Sequence, residues 1–302
     1  MADLDDFFGG ESDDNGNDGG VVFDPEILKG PEEDTPESGE KIVNDAQKRT
    51  MTIFLVIDTS YSMEGERIAQ VNQAIAETIP MLQEVQRDQN GVVIQVAIMT
   101  FDSDAKWITP MPEPVERLTF SKIEKPTGGT YYGFAFDKLH EKMSRKAFMN
   151  SVGGHFQPLI LLLSDGEPID PEAWPAKLDR LYQSNMWFKA STRVAIGIGS
   201  DAKSAEATKV FKAFTNNKEM ILYPSNLDEL RNFIKLVTVH ASKWNTSRNS
   251  QGTSEAAPSG GYSGGSEPDP IDNTSNPTPD WFQPGTGGIT GLVDFPDLPG
   301  MN

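Results

Sequence analysis

The sequence predicts a doubly wound α/β sheet, mostly parallel, with helices on both faces. Three observations lead there. Apolar runs at residues 53–57 and 159–163 read as strands buried on both sides, as in parallel sheets that helices cover. Segments of helical period alternate with the strand-like runs along the chain. Two of the strands end abruptly in oxygen-bearing side chains, at Asp58-Thr59-Ser60-Tyr61-Ser62 and at Ser164-Asp165-Gly166. In such sheets ligands bind at the carboxyl ends of the strands.

Taken in order, the first strand closes at Asp58, and Ile68, Val71, Ile75, Ile79 and Leu82 then recur at helical spacing. A long helix is expected there, kinked at Pro80. Residues 92–101 read as the second strand, with 107–108 its hairpin neighbour across Asp102-Ser103-Asp104 at the sheet edge. Pro126-Thr127-Gly128-Gly129-Thr130 is a glycine loop that lets the backbone approach something closely, and it opens into a helix over 131–148. After the strand at 159–163 follow a helix at 176–185, a strand at 194–198, a helix at 204–214 and a short strand at 220–223. The last helix carries a capping-box signature at Ser225 and Asp228, with Leu227, Leu230, Ile234 and Val237 on one face.

Charge divides the 302 residues into three parts. Residues 1–49 hold 15 acidic and 4 basic side chains and residues 246–302 hold 7 and 1, whereas 50–245 hold 23 and 21. The net charge of -19 therefore belongs to two tails, which argues against nonspecific binding of nucleic acid or an anionic membrane. Both tails are poor in apolar residues, so disorder is expected at 1–49 and 246–302, flanking a folded domain at 50–245. Aromatic islands beside acidic residues interrupt them: Phe7 and Phe8, Val21-Val22-Phe23, Trp281 and Phe282, and Phe295. These have the composition of docking motifs that fold on binding. Thr35, followed by Pro36, is a candidate phosphoacceptor.

There is no cysteine, which excludes disulfides and thiolate metal sites. The N-terminal residues have neither a basic nor an apolar signal region, and the run at 159–163 is too short to span a bilayer. A soluble, cytoplasmic protein is expected.

Mg²⁺ or Mn²⁺ is a hard ion held by oxygen ligands, with only one or two carboxylates and several neutral oxygens. Asp58, Ser60, Ser62, Thr130 and Asp165 supply that inventory if their strand ends and the glycine loop share one crevice. No base stands among them in the sequence. An ion so weakly neutralised stays electrophilic, and a carboxylate from outside is a natural further ligand.

Asp58-x-Ser60-x-Ser62, Gly128-Gly129-Thr130 and Asp165-Gly166 resemble the metal-ion-dependent adhesion site of von Willebrand factor A domains. More closely, residues 54–170, with Ser-Asp-Gly-Glu-Pro-Ile-Asp at 164–170, are similar to TerY-like bacterial proteins associated with tellurite resistance. The resemblance covers residues 50–243 and neither tail. It implies a Rossmann-like sheet and a divalent-metal site that binds acidic groups on protein partners. Ser60, Ser62 and Thr130 would contact the metal, with Asp58 and Asp165 acting directly or through water. It also implies kinase and phosphatase partners in bacterial stress or defence systems, in which Thr35 would have a role. Tyr61 stands where the family usually has a small residue, and Tyr131 and Tyr132 follow the metal threonine. With Glu167, these phenols are expected at the rim, facing the partner.

An enzyme of the phosphohydrolase type, using strand-end carboxylates and Mg²⁺, is the alternative. Haloacid-dehalogenase phosphatases place a second Asp two residues after the first as general acid, and here that position is Ser60. His140, His155 and His240 are the only histidines, and none falls in the cup's motifs. A non-enzymatic adaptor is therefore expected, its acidic tails serving as docking arms or as occupants of the metal site in cis.

Overall fold

Residues 48–88 and 91–250 are described by a computed structural model, apart from the side chains of 236 and 240–250. The first strand, β1 (Arg49–Asp58), is buried from Thr50 to its end. It lies at the centre of a seven-stranded sheet, paired in parallel with β2 (Val92–Phe101) on one side and β5 (Leu159–Ser164) on the other. Beyond β5 the sheet continues in parallel through β6 (Thr192–Gly197) to β7 (Ile221–Leu222). At the opposite edge, β3 (Ala105–Trp107) and β4 (Glu113–Pro114) both run antiparallel to β2. The predicted hairpin is β2–β3, with Met99 opposite Trp107.

The strand order β3-β2-β1-β5-β6-β7 reverses its direction of growth at β1. That is the switch point of a doubly wound sheet, where the connections depart to opposite sides and leave a crevice at the strands' carboxyl ends. Alternate side chains of β1 serve the two faces, as the period of two requires. Met51, Ile53, Leu55 and Ile57 join a core with α1 (Glu66–Asp88) and α6 (Leu227–Ser250). Phe54 and Val56 join a second core with α2 (Tyr132–Lys142), α3 (Trp174–Ser184), α4 (Met186–Ala190) and α5 (Ala205–Thr215). A strand that buries both faces has no polar stripe to show, which explains its unbroken apolar run.

Helix α1 runs on through Pro80 as the single long helix expected. Local expectations change at two places. Helix α2 stops at Lys142, where the chain turns back and the Phe148 N–H donates to the Lys142 carbonyl (3.0 Å). Phe148 is buried by that turn, edge-on to Trp107 with ring centroids 4.8 Å apart, so its apolar character extended the helix signal falsely. The cap of α6 lies one residue later than the Ser225 and Asp228 pattern indicated. The Glu229 N–H donates to Asn226 Oδ1 (2.9 Å) and the Ser225 N–H donates to Glu229 Oε2 (2.7 Å).

The chain divides into two compact units, and the residues described all belong to the second, 43–302. The docking candidates Phe7, Phe8, Trp281, Phe282 and Phe295, and the phosphoacceptor candidate Thr35, lie outside the described residues. Among the described residues, no helix is long and apolar enough to cross a membrane.

Candidate metal centre

β1 and β5 are in register to Ile57 opposite Leu163, so Asp58 and Ser164 emerge side by side from the sheet. Ser164 Oγ donates to Asp58 Oδ2 (2.5 Å), and the Ser60 N–H donates to Asp58 Oδ1 (2.8 Å). Beyond Asp58 the chain enters a single 3₁₀ turn, Tyr61–Met63, closed by the Met63 N–H on the Ser60 carbonyl (2.9 Å). Met63 is fully buried and anchors the turn. Its geometry places Ser60 Oγ and Ser62 Oγ 3.1 Å apart, and Ser62 Oγ donates to Asp165 Oδ1 (2.8 Å).

The glycine loop is pinned over this cup by its backbone. The Tyr61 N–H donates to the Gly128 carbonyl (3.0 Å), the Thr127 N–H to the Thr59 carbonyl (2.9 Å) and the Ile169 N–H to the Thr130 carbonyl (2.9 Å). Gly128 has φ +71°, and a Cβ on it would meet Ser103 Oγ at 2.5 Å. Gly166 serves differently: a Cβ there would stand 3.1 Å from Thr130 Oγ1 and 3.6 Å from Ser62 Oγ. Its bare α-carbon therefore marks where these two hydroxyls converge.

Asp58, Ser60, Ser62, Thr130 and Asp165 are thus brought together, from two strand ends and one loop. Asp58 and Asp165 are fully buried, Ser60 and Thr130 are buried, and Ser62 alone is exposed, which opens the cup to solvent on its side. The donor set suits a hard cation. Adjacent ligands around an octahedral ion at Mg²⁺ distances stand about 3.0 Å apart. The Ser60–Ser62 and Ser62–Asp165 oxygen separations, 3.1 and 2.8 Å, match that spacing. Among the described residues no three His, Asp or Glu side chains gather as a metal cluster, so a metal here depends on hydroxyls. Burial pushes the Asp58 carboxyl up to about 7, against the opposing effect of its bonds from Ser164 and Ser60, with the Asp165 charge adding to the rise.

Of the residues expected at the rim, Tyr61 is 66% exposed, Glu167 is exposed and Tyr131 is half-buried. Tyr132 is a correction: it is fully buried. As the first residue of α2 its ring turns inward, with centroids 5.3 Å from Phe101 and 6.3 Å from Phe136. Its hydroxyl lies 2.7 Å from Ser164 Oγ and donates to the Gly166 carbonyl (2.9 Å), supporting the cup from beneath. The outer surface is instead completed by Ile169, 56% exposed, and by Phe134, whose ring centroid is 5.8 Å from that of Tyr131.

The residue that sequence reasoning missed most completely is Arg67. Its guanidinium pairs closely with Asp165 Oδ2 through Nη1 and reaches Asp201 Oδ2 through Nη2 (2.8 Å). One signal was present: a cation in the first turn of a helix opposes the macrodipole, so it needs carboxylates nearby. Ser164 was in view only as a neighbour of Asp165, and nothing local in sequence ties it to Asp58.

His140 and His155 stand apart from the cup. His140 Nε2 is 2.7 Å from Ser184 Oγ near the end of α2. His155 flanks Thr50, at the other end of β1, roughly 26 Å along the strand from Asp58. Its Nε2 accepts from the Ser151 N–H (3.0 Å), and burial pushes the imidazole down to about 4, helped by the Arg145 and Arg49 charges.

Residues 53–167 match the family described as von Willebrand factor type A domain. No curated protein matches the chain. Solved structures match the chain at low identity. The pilus adhesin SpaC of Lactobacillus rhamnosus GG is 14% identical, with a TM-score of 0.49 over 66% of this chain and 30% of its own. The ArnB paralog VWA2 of Sulfolobus acidocaldarius is 20% identical, with a TM-score of 0.41 over 62% of this chain and 44% of its own. Proximal thread matrix protein 1 of the mussel byssus, in a form with a zinc-occupied MIDAS motif, is 17% identical, with a TM-score of 0.44 over 65% of this chain and 46% of its own. The chain thus spans less than half the length of each of these.

Proposed function

We propose that this chain, whose residues 53–167 match the von Willebrand factor type A domain, is a non-enzymatic interaction module that binds an acidic protein partner through a divalent metal. The observation that carries the reading is the gathering of two carboxylates and three hydroxyls at adjoining strand ends and one loop, with the Ser60, Ser62 and Asp165 oxygens at octahedral ligand spacing. Ser60, Ser62 and Thr130 would hold Mg²⁺ or Mn²⁺, with Asp58 and Asp165 directly or through water. The ion, when bound, supplies an electrophilic position for a partner's carboxylate. Asp58 is kept in place by Ser164, which the Tyr132 hydroxyl backs, and Ser62 leaves the cup open on one side. Tyr61, Tyr131, Glu167, Ile169 and Phe134 supply the surface around that opening, partly apolar and partly charged, as protein interfaces are.

Absence of an enzymatic role is part of this reading. Among the described residues neither His140 nor His155 reaches the cup, and Ser60 occupies the position where a phosphatase would carry its acid. The resemblance to TerY-like proteins gives the module a bacterial setting, in a cytoplasmic stress or defence complex with a kinase and phosphatase. The acidic aromatic segments at Phe7, Phe8, Trp281, Phe282 and Phe295 would then be docking arms or occupants of the metal in cis.

The test pairs two measurements. Titration of Mn²⁺ into wild type and Thr130→Ala should show binding that the variant loses. A pull-down in Mg²⁺ should retain a set of proteins that chelation or Thr130→Ala releases. Release of phosphate from a phosphomonoester, abolished in Asp58→Ala, would favour the phosphohydrolase alternative instead.

A further inference from the structure

Arg67 sits where a metal site would be expected to avoid a cation. It projects from the first turn of α1 onto Asp165, whose side chain is fully buried, while the Arg67 side chain is 28% exposed. Its Nη1 pairs with Asp165 Oδ2 and also lies 3.4 Å from the Ser62 carbonyl; its Nη2 is 2.8 Å from Asp201 Oδ2. Asp165 is thereby fully committed, one oxygen to Ser62 and the other to Arg67. The guanidinium is seated tightly. Gly199, at φ +78°, faces it so closely that a Cβ would come within 3.1 Å of Nε and 3.2 Å of Cζ. A side chain at 199 would press on the guanidinium and make it give by a few tenths of an ångström.

We propose that Arg67 is the resident counter-charge of the cup. It offsets one of the two carboxylates, keeps Asp165 in place before a metal arrives, and holds the site's metal affinity down so that the bound ion remains short of negative charge. An ion left in that condition favours an anionic partner as its final ligand. The inference rests on the reading of the cup as a metal site and names how that site is set. A surface ion pair contributes little to stability. This one differs because its acidic member is buried at the cup and shares a hydrogen bond with a ligand hydroxyl.

The test titrates Mn²⁺ into the full-length chain at constant ionic strength, followed by electron paramagnetic resonance and calorimetry. Arg67→Gln removes the charge and should bind Mn²⁺ at least about tenfold more tightly, the scale expected for a unit charge a few ångströms from a divalent ion in a partly screened site. Arg67→Lys keeps the charge and should stay within about threefold of wild type. Asp201→Asn frees Arg67 to serve Asp165 alone, so it should bind no more tightly than wild type. That variant carries the test should Arg67→Gln fail to fold.

Wild-type binding that Arg67→Gln leaves unchanged or weakens would overturn this inference and leave the metal reading intact. Tighter binding by Asp201→Asn would also overturn it. Binding by Arg67→Gln where wild type binds nothing would support Arg67 as the resident cation and overturn the metal reading for the natural chain. Binding by neither would overturn both.

Discussion

Ser164 Oγ donates to Asp58 Oδ2 across the β1–β5 pair, and the same oxygen lies 2.7 Å from the Tyr132 hydroxyl. One buried hydroxyl therefore joins two strands and a helix beneath the cup. Removing it leaves Asp58 Oδ2 without its donor and takes one of the two contacts of the Tyr132 hydroxyl. Ser164→Ala should cost about 1–3 kcal/mol, the cost of leaving a buried polar group unsatisfied. Urea denaturation measures that loss, and it should weaken Mn²⁺ binding because Asp58 loses its orientation. Unchanged stability would show that the three groups do not act together.

Asp58 and His155 should produce opposite pH slopes in the metal-free protein. The folded-state value of Asp58 is raised to about 7 from an ordinary 3.8. The folded form thus holds a proton that the unfolded chain has released, and stability falls as pH rises through that window. The value of His155 is lowered to about 4 from 6.5, so the unfolded chain takes up a proton first and stability falls as pH drops through 6.5. The histidine effect amounts to roughly 3 kcal/mol at its limit. Denaturation between pH 4 and 7 should show His155→Gln losing stability more steeply with rising pH than wild type, and Asp58→Asn gaining it. Parallel curves for all three would refute the assignment.

Metal binding should reverse the Asp58 slope. A ligand must shed its proton to serve a cation, so the rise in Tm on adding Mg²⁺ should be larger at pH 8 than at pH 5.5. In Asp58→Asn that pH dependence should disappear. An equal shift at both pH values would place the ion elsewhere.

Two glycines should separate function from folding. Gly166→Ala puts a methyl 3.1 Å from Thr130 Oγ1 at an ordinary backbone angle, so binding of Mn²⁺ should suffer more than stability. Gly128→Ala imposes φ +71° on a residue with a Cβ and drives that Cβ to 2.5 Å from Ser103 Oγ. It should cost about 1 kcal/mol or more in denaturant. Equal losses in both assays for both variants would show that the loop and the cup are not separable.

The tyrosines should divide in the same manner. Tyr61→Ala removes a ring that is 66% exposed and should change stability by no more than about 0.5 kcal/mol, while weakening capture of a metal-dependent partner. Tyr132→Ala empties a fully buried site and should cost about 3–5 kcal/mol, the range for a large aromatic.

The sequence by itself determined the parallel strands and their carboxyl-end oxygens, but not the edge strand β4. β2 spans the predicted residues 92–101, and Asp58, Ser60, Ser62, Thr130 and Asp165 stood out because apolar runs and glycine turns are local signals. Short-range patterns of this kind record burial and backbone freedom directly. Only the tertiary structure decided what lies beneath and beside those oxygens. Ser164 meets Asp58 across 106 positions of chain, and Arg67 meets Asp165 across 98 and Asp201 across 134. Tyr132 turned inward because the first residue of α2 faces the core, while its neighbour Tyr131 stays half-buried. Charge pairing and side-chain direction depend on which strand ends become neighbours, and that neighbourhood is set by the β3-β2-β1-β5-β6-β7 order of the sheet.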